Sequence, residues 1–187
     1  MKTFLFGALL LFLALSVKAE VSQVRGIGDR CHSIGGELGG AINAMDWENL
    51  KKLSKFSIEN CKPPILERNT YFLYYGSLGL AEYELGNYAS ALKAADYCIG
   101  QNYNIAGCHN TRADTLVELK RFPEALREYK VTGRLLVNEI AKLKLRLASD
   151  PNELSKSERN AISAEIDMNQ AMLNSLLKSG LFSPDEK

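Results

Sequence analysis

The chain has 187 residues, of which 46% are hydrophobic and 24% charged; 23 basic and 22 acidic side chains give a formal net charge of +1. This balance gives no electrostatic reason to expect a nucleic acid or an anionic membrane surface as partner. The length suits a single domain with a substantial core.

The first predicted element is a secretory signal peptide over residues 1–19. Its sequence, MKTFLFGALLLFLALSVKA, has a lysine near the start, an apolar run over 4–15 and small side chains at 17 and 19. A membrane anchor is the alternative, but the apolar run is shorter than the roughly 20 residues that a spanning helix needs. We expect removal after Ala19, which takes away two lysines and leaves 21 basic and 22 acidic residues, a formal charge of −1. Residues 20–187 would then form one exported domain without a membrane segment.

Residues 30–62 are predicted to form an irregular helical hairpin, with helices over 31–44 and 47–60. Asp46 is a suitable N-cap for the second helix. The glycine pairs at 35–36 and 39–40 each weaken a helix by roughly 1 kcal/mol per glycine relative to alanine. We interpret them as positions of close contact with a neighbouring element; a partly extended segment over 20–40 is the alternative.

A repeat with a period of 34 residues follows, because ELGNYASAL at 84–92 is matched by ELKRFPEAL at 118–126. Apolar residues three and four positions apart predict two helices in each copy, 71–104 and 105–138. Breaks at 86–87 and 120–121 separate the helices within each copy. The last helix of the second copy continues to about residue 148. A final helix, capped by Ser157 and ended by Gly180, completes two helices over 124–179 that we interpret as a cap.

Both copies place a small residue in the first helix, an aromatic residue after the turn, and a small and a large residue in the second helix. These residues are Gly79, Tyr88, Ala91 and Leu92 in one copy and Ala113, Phe122, Ala125 and Leu126 in the other. This pattern resembles that of tetratricopeptide repeat proteins, in degenerate form, because Tyr103 and Val137 replace the usual final proline. The resemblance implies an all-α fold of antiparallel helical hairpins stacked as a short solenoid, in which small residues allow close approach and aromatic residues fill the gap between helices.

Four cysteines, Cys31, Cys61, Cys98 and Cys108, form an even set in a chain that we expect to be exported, which favours disulfide bonds. Their number leaves three pairings open. The stacked hairpins that the resemblance implies bring Cys31 to Cys61 and Cys98 to Cys108, so we predict these two bonds. A histidine follows Cys31 and another follows Cys108, but neither spacing is that of a zinc site, and no metal is expected.

No sequence motif predicts catalysis or a cofactor. The nucleophile elbow, the His-Glu-x-x-His pattern and phosphate-binding loops are all missing from the sequence. Residues 75–79, YGSLG, have the letters of a serine elbow but lie within a predicted helix without a preceding strand. We therefore expect a protein that is not an enzyme, with a small enzyme of unrecognised site as an alternative.

The resemblance implies a groove along the first helices of successive hairpins, where a partner protein or peptide binds. Transferred to this sequence, the lining consists of Leu73, Leu80, Tyr83, Glu84, Asn110, Asp114, Val117 and Glu118. Side chains that clamp a carboxylate in some members are missing, because Gly76, Leu80, Gly107 and Thr111 stand at their positions. The lining suits an apolar partner with some basic character. For Leu80, a role in the core is an equally good interpretation.

Export and binding together predict a periplasmic or secreted protein. The sequence has no Asn-X-Ser/Thr acceptor, which favours bacterial export. The expected role is that of an envelope adaptor or assembly factor, and an immunity protein against a secreted toxin is the alternative. The oligomeric state, the affinity and the identity of the partner do not follow from the sequence.

Overall fold

A computed structural model describes residues 29–61, 71–149 and 154–184. The expected signal peptide and residues 20–28 lie outside these ranges. Every regular element within them is a helix, which confirms the all-α prediction. The helices are α1, described over 29–43, α2 (Trp47–Asn60), α3 (Tyr71–Glu84), α4 (Tyr88–Gln101), α5 (Ala106–Glu118), α6 (Phe122–Ser149) and α7 (Lys156–Lys178). None of the described helices is long and apolar enough to cross a bilayer.

One turn geometry recurs between α1 and α2, between α3 and α4, and between α5 and α6. In the second of these turns, the amide of Gly86 donates to the carbonyl of Tyr83 and the amide of Asn87 to that of Glu82, at 2.9 and 2.8 Å. The equivalent bonds in the third turn have the same lengths. This is the Schellman pattern, which places the residue after the helix in the left-handed region. Met45, Gly86 and Lys120 occupy that position, with φ of 54°, 76° and 62°.

Capping residues precede the helices, with one difference from the sequence prediction, at the start of α7. The carboxylate of Asp46 accepts a hydrogen bond from the amide of Asn49, as predicted. Asn87 stands at the N-cap of α4, but its side chain donates to Glu82 across the turn instead. α7 is capped by Ser155, which forms a capping box with Glu158, and Ser157 lies inside the helix. The capping box is preferred because it satisfies two amide donors at once.

Buried apolar side chains form two clusters. The first joins α1, α2 and α3 and includes Ile34, Leu38, Leu50, Leu53 and Tyr74. The second joins α5, α6 and α7 and includes Leu116, Leu136, Ile140, Leu173 and Phe182. α4 lies between them and contributes Ala91, Ala94, Ala95 and Cys98 to the interior.

Small residues of the repeat pattern lie where neighbouring helices approach one another. A Cβ atom added to Gly79 would lie 3.5 Å from the backbone nitrogen of Ala95 in α4. Ala113 and Ala125 are also buried. Phe122 differs from the prediction because 55% of its surface is exposed, so it does not fill a gap between helices.

The glycine pairs of α1 do not mark a close contact. Within the described ranges, no neighbouring atom lies within 4 Å of a Cβ added at Gly35, Gly36, Gly39 or Gly40. Our interpretation of these glycines was therefore wrong, and α1 remains helical over 29–43 in spite of them because its other face packs into the first cluster. The alternative, a partly extended segment over 20–40, is wrong for residues 29–40, which are helical.

Both predicted disulfides are present in the structure. Cys31 in α1 is bonded to Cys61 after α2, with 5.5 Å between their Cα atoms, and Cys98 in α4 to Cys108 in α5, with 6.2 Å. Gly76 of α3 lies against the second bond, because an added Cβ would be 3.2 Å from the sulfur of Cys108. Two buried disulfides are typical of proteins from oxidising compartments.

Candidate functional site

The eight residues predicted to bind a partner lie on two helices that contact each other. Four of them belong to α3 and four to α5, and α3 packs directly against α5. The structure divides them into two groups. The acidic group lies at the α3–α5 contact and contains Tyr83, Glu84, Asn110, Asp114 and Glu118. The apolar group lies further towards the start of α3, around Leu73.

Asp114 is at the centre of the acidic group. Its two carboxylate oxygens accept hydrogen bonds from the hydroxyl of Tyr129 at 2.5 Å and from the side-chain amide of Asn110 at 2.9 Å. Tyr129 belongs to α6 and is buried, so it fixes the carboxylate from the interior. Tyr129 was not among the site residues predicted from the sequence. A tyrosine in a buried helix position was the available signal, because a buried hydroxyl needs a partner.

The pKa values of this group are raised by burial and by neighbouring negative charge. Burial raises the pKa of the Asp114 carboxyl and Glu84 adds to the increase, against the hydrogen bond from Tyr129. The pKa of Tyr83 is raised by partial burial and then by Asp114, Glu118 and Glu84. The pKa of Tyr129 is raised by burial first and by Asp114 second. The charged groups that raise the pKa of Tyr83 are thus acidic, and a cation at this place would lower the electrostatic energy.

The apolar group includes a groove between α1 and α3, with a volume of about 400 Å³. Leu73 and Ile42 form part of its wall and are 50% and 37% exposed. Its other lining residues are Cys31, His32, Gly35, Leu38, Gly39, Tyr74 and Ser77. The glycines leave the α1 side of the groove open, because they have no side chain to fill it. The contribution of α1 was not predicted from the sequence, although the unexplained glycine pairs were a signal of an open helix face.

The other predicted residues differ in how far their side chains are buried. Leu80 is partly buried and packs against the first cluster, which agrees with its alternative interpretation as a core residue. Val117 is partly buried against the second cluster. Glu84 and Glu118 are exposed. The surface therefore has an apolar end at Leu73 and an acidic end at Glu84, Asp114 and Glu118.

A polar network surrounds His109 on another face of α5. His109 is 2% exposed; its Nδ1 lies 2.6 Å from Glu128 and its Nε2 lies 2.8 Å from the carbonyl oxygen of Tyr103. Glu128 also accepts a hydrogen bond from Arg112, which in turn donates to Asp96. Both ring nitrogens are thus engaged and shielded from a substrate, and the network connects α4, α5 and α6. Among the described residues, no group of three or more histidine, cysteine or acidic side chains is arranged to hold a metal.

Comparisons with known protein families, with curated proteins and with solved structures find no match. The geometry of the surface on α1, α3 and α5 is therefore the basis for a functional proposal.

Proposed function

We propose that this protein is a non-enzymatic binding module that holds a partner protein or peptide on the surface formed by α1, α3 and α5. The observation that carries the proposal is the exposed apolar groove beside Leu73, which shares this surface with acidic side chains that have no ion-pair partner within the described ranges. Exposed apolar surface that is bordered by polar residues is characteristic of interaction sites.

The proposal includes a tetratricopeptide-like stack of hairpins. It is supported by the three equivalent turns at Met45, Gly86 and Lys120, which lie 41 and 34 positions apart, and by the direct contact of α3 with α5. In such a stack, the first helices of the hairpins form a preformed surface, so little conformational entropy is lost on binding. α7 and the later part of α6 then cover the last hairpin, as terminal repeats must.

The proposed location is the periplasm or the exterior of a bacterium, and the proposed role is that of an adaptor or assembly factor. The two disulfides support an oxidising compartment. The signal-peptide pattern of residues 1–19 supports export.

Affinity capture from the envelope of the source cells tests this function. The full chain is compared with the variants Leu73→Ser and Met168→Ser; each changes an exposed apolar residue, the first in the groove and the second on α7. We expect a partner that wild type and Met168→Ser retain and that binds Leu73→Ser at least tenfold more weakly, because a buried leucine contributes more than about 1.4 kcal/mol. A partner retained equally by all three proteins, or no partner at all, would refute the proposal.

A further inference from the structure

The two ends of the candidate surface lie along one side of α3. Leu73, Ser77, Leu80 and Glu84 follow one another at intervals of four, three and four residues, so they form one stripe of the helix. Leu73 stands beside the apolar groove and Glu84 beside Tyr83 and the α5 carboxylates. At a rise of 1.5 Å per residue, eleven residues separate these ends by about 16 Å.

The apolar end has room for a large side chain. The groove is open because Gly35 and Gly39 carry no side chain, and within the described ranges no neighbouring atom lies within 4 Å of a Cβ added to either. Ile42 and Leu73 expose apolar surface at its edge. A leucine or aromatic side chain placed there would bury this surface together with its own, at roughly 25 cal/mol for each Å² removed from water.

The acidic end lacks a positive partner within the described part of the chain. Ion pairs of the neighbouring helices use other carboxylates, such as Glu82 with Lys51 and Glu128 with Arg112. Glu84 and Glu118 are exposed, and the ring of Tyr83 is partly exposed beside them. Carboxylates next to an aromatic ring suit a lysine or arginine, which an aromatic face attracts within about 6 Å of its centroid.

We propose that this surface recognises a protein segment that carries a large apolar side chain and a lysine or arginine about 16 Å apart. The apolar side chain occupies the groove between α1 and α3, and the cation lies over Tyr83 between Glu84 and Glu118. An extended segment spans this distance in about five residues and a helix in about eleven. This inference rests on the proposed function and gives the chemistry of the partner that the surface selects.

Each end has a separate contribution to recognition. The apolar side chain provides most of the affinity, whereas exposed charge pairs contribute little individually but discriminate against partners of the wrong charge. Binding through the acidic end becomes weaker at higher salt concentration, because ions screen exposed charges. The affinity contributed by the apolar groove should not decrease at higher salt concentration.

The experiment is a selection of random peptides displayed on phage against the full chain. We expect the enriched peptides to combine a large apolar residue with lysine or arginine at one of the two predicted spacings. A synthetic peptide of the most enriched sequence is then titrated by calorimetry into wild type and into the double variant Glu84→Gln/Glu118→Gln. The titrations are repeated with a peptide in which norleucine replaces the basic residue.

Removing the carboxylates, in the double variant, or the basic residue, in the norleucine peptide, should weaken binding about fivefold to tenfold. This is the effect expected for two exposed pairs of modest strength. The affinities of wild type and of the double variant for the norleucine peptide should differ by less than about twofold, since this peptide has no cation to interact with the carboxylates. Tyr83→Phe should bind the original peptide like wild type and Tyr83→Ala should bind it less well, because phenylalanine keeps the aromatic face.

The matched control is Glu59→Gln/Glu165→Gln, which removes the same charge from exposed positions of α2 and α7 and should bind like wild type. Circular dichroism verifies that each variant is folded. Peptides that bind at Leu73 with equal strength in all charge variants would overturn this inference and leave the proposed function intact. If no peptide is enriched over a bait-free selection, both the inference and the proposed function are refuted.

Discussion

Lys120 adopts a backbone conformation that its side chain disfavours. With φ of 62°, it stands at the turn position that Gly86 fills in the preceding hairpin. A side chain in the left-handed region costs about 1 kcal/mol because the Cβ approaches the carbonyl oxygen. Lysine is tolerated here because the Schellman hydrogen bonds and the packing of α5 against α6 hold the turn.

The substitution Lys120→Gly should therefore raise the free energy of unfolding, by up to about 1 kcal/mol. Lys93→Gly is the matched control, since Lys93 is an exposed residue within α4, where glycine costs about 1 kcal/mol. Urea unfolding monitored by circular dichroism measures both changes. Effects of the same sign in the two variants would contradict the assigned backbone conformation of the turn.

Asp114 should make the protein less stable as the pH rises above the ordinary carboxyl pKa. Its pKa is raised in the folded state by burial and by Glu84, so the folded state binds this proton more tightly than the unfolded state does. Stability from this group therefore decreases as the pH rises from the ordinary pKa of 3.8 through the higher pKa of the folded state, and is constant outside that window.

The substitution Asp114→Asn should remove this contribution while it keeps an oxygen that accepts from Tyr129. Relative to wild type, we expect the variant to gain stability as the pH rises from the ordinary aspartate pKa through the higher pKa of Asp114 in the folded state. Thermal unfolding across this pH range measures the difference. Parallel pH profiles for the two proteins would show that the pKa of Asp114 is not raised by folding.

At the scale of elements, Glu128 connects three helices. It accepts from Arg112 of α5 and faces His109, while Arg112 continues the network to Asp96 of α4. Because the carboxylate is largely buried, its loss leaves two polar groups without their partner, and such groups are costly in the interior.

The substitution Glu128→Gln should lower the free energy of unfolding by about 2 kcal/mol, less than for a fully buried pair because the site is partly exposed. Glu139→Gln removes the partner of Lys142 from the exposed side of the same helix and should change stability by less than about 0.5 kcal/mol. Denaturant titration separates the two cases. Equal losses would mean that the network does not join the helices.

Helices with a strong apolar periodicity could be predicted from the sequence, whereas surfaces formed by several helices could not. The helices of the two repeats follow from apolar spacing and from the breaks at Gly86 and Lys120. The contribution of α1 to the groove did not follow, because the glycine pairs mark a helix face without side chains but do not show whether a neighbouring helix fills the space beside it. Likewise, the bond from Tyr129 to Asp114 depends on how α6 packs on α5, and no local propensity reports such a distant contact.

At the scale of the whole molecule, the disulfides hold neighbouring helices together. The double variant Cys31→Ala/Cys61→Ala should lose about 2 to 4 kcal/mol of unfolding free energy, because the unfolded chain regains the freedom of a closed loop of 30 residues. Urea unfolding of the variant and of wild type, both without reductant, measures the loss. An unchanged midpoint would show that α1 and α2 stay paired without the bond.

α6 is a single rod of 28 residues, about 42 Å long, that takes part in two interfaces. Its first part carries Tyr129, which holds Asp114, and its later part packs on α7 through Leu136 and Ile140. The ring of Phe182 fills the notch at Gly133 between these parts, where even one added Cβ would overlap it. A displacement of α6 along its axis would consequently change both interfaces together. The carboxylate of Asp114 and the C-terminal helix α7 are thus connected through one continuous helix.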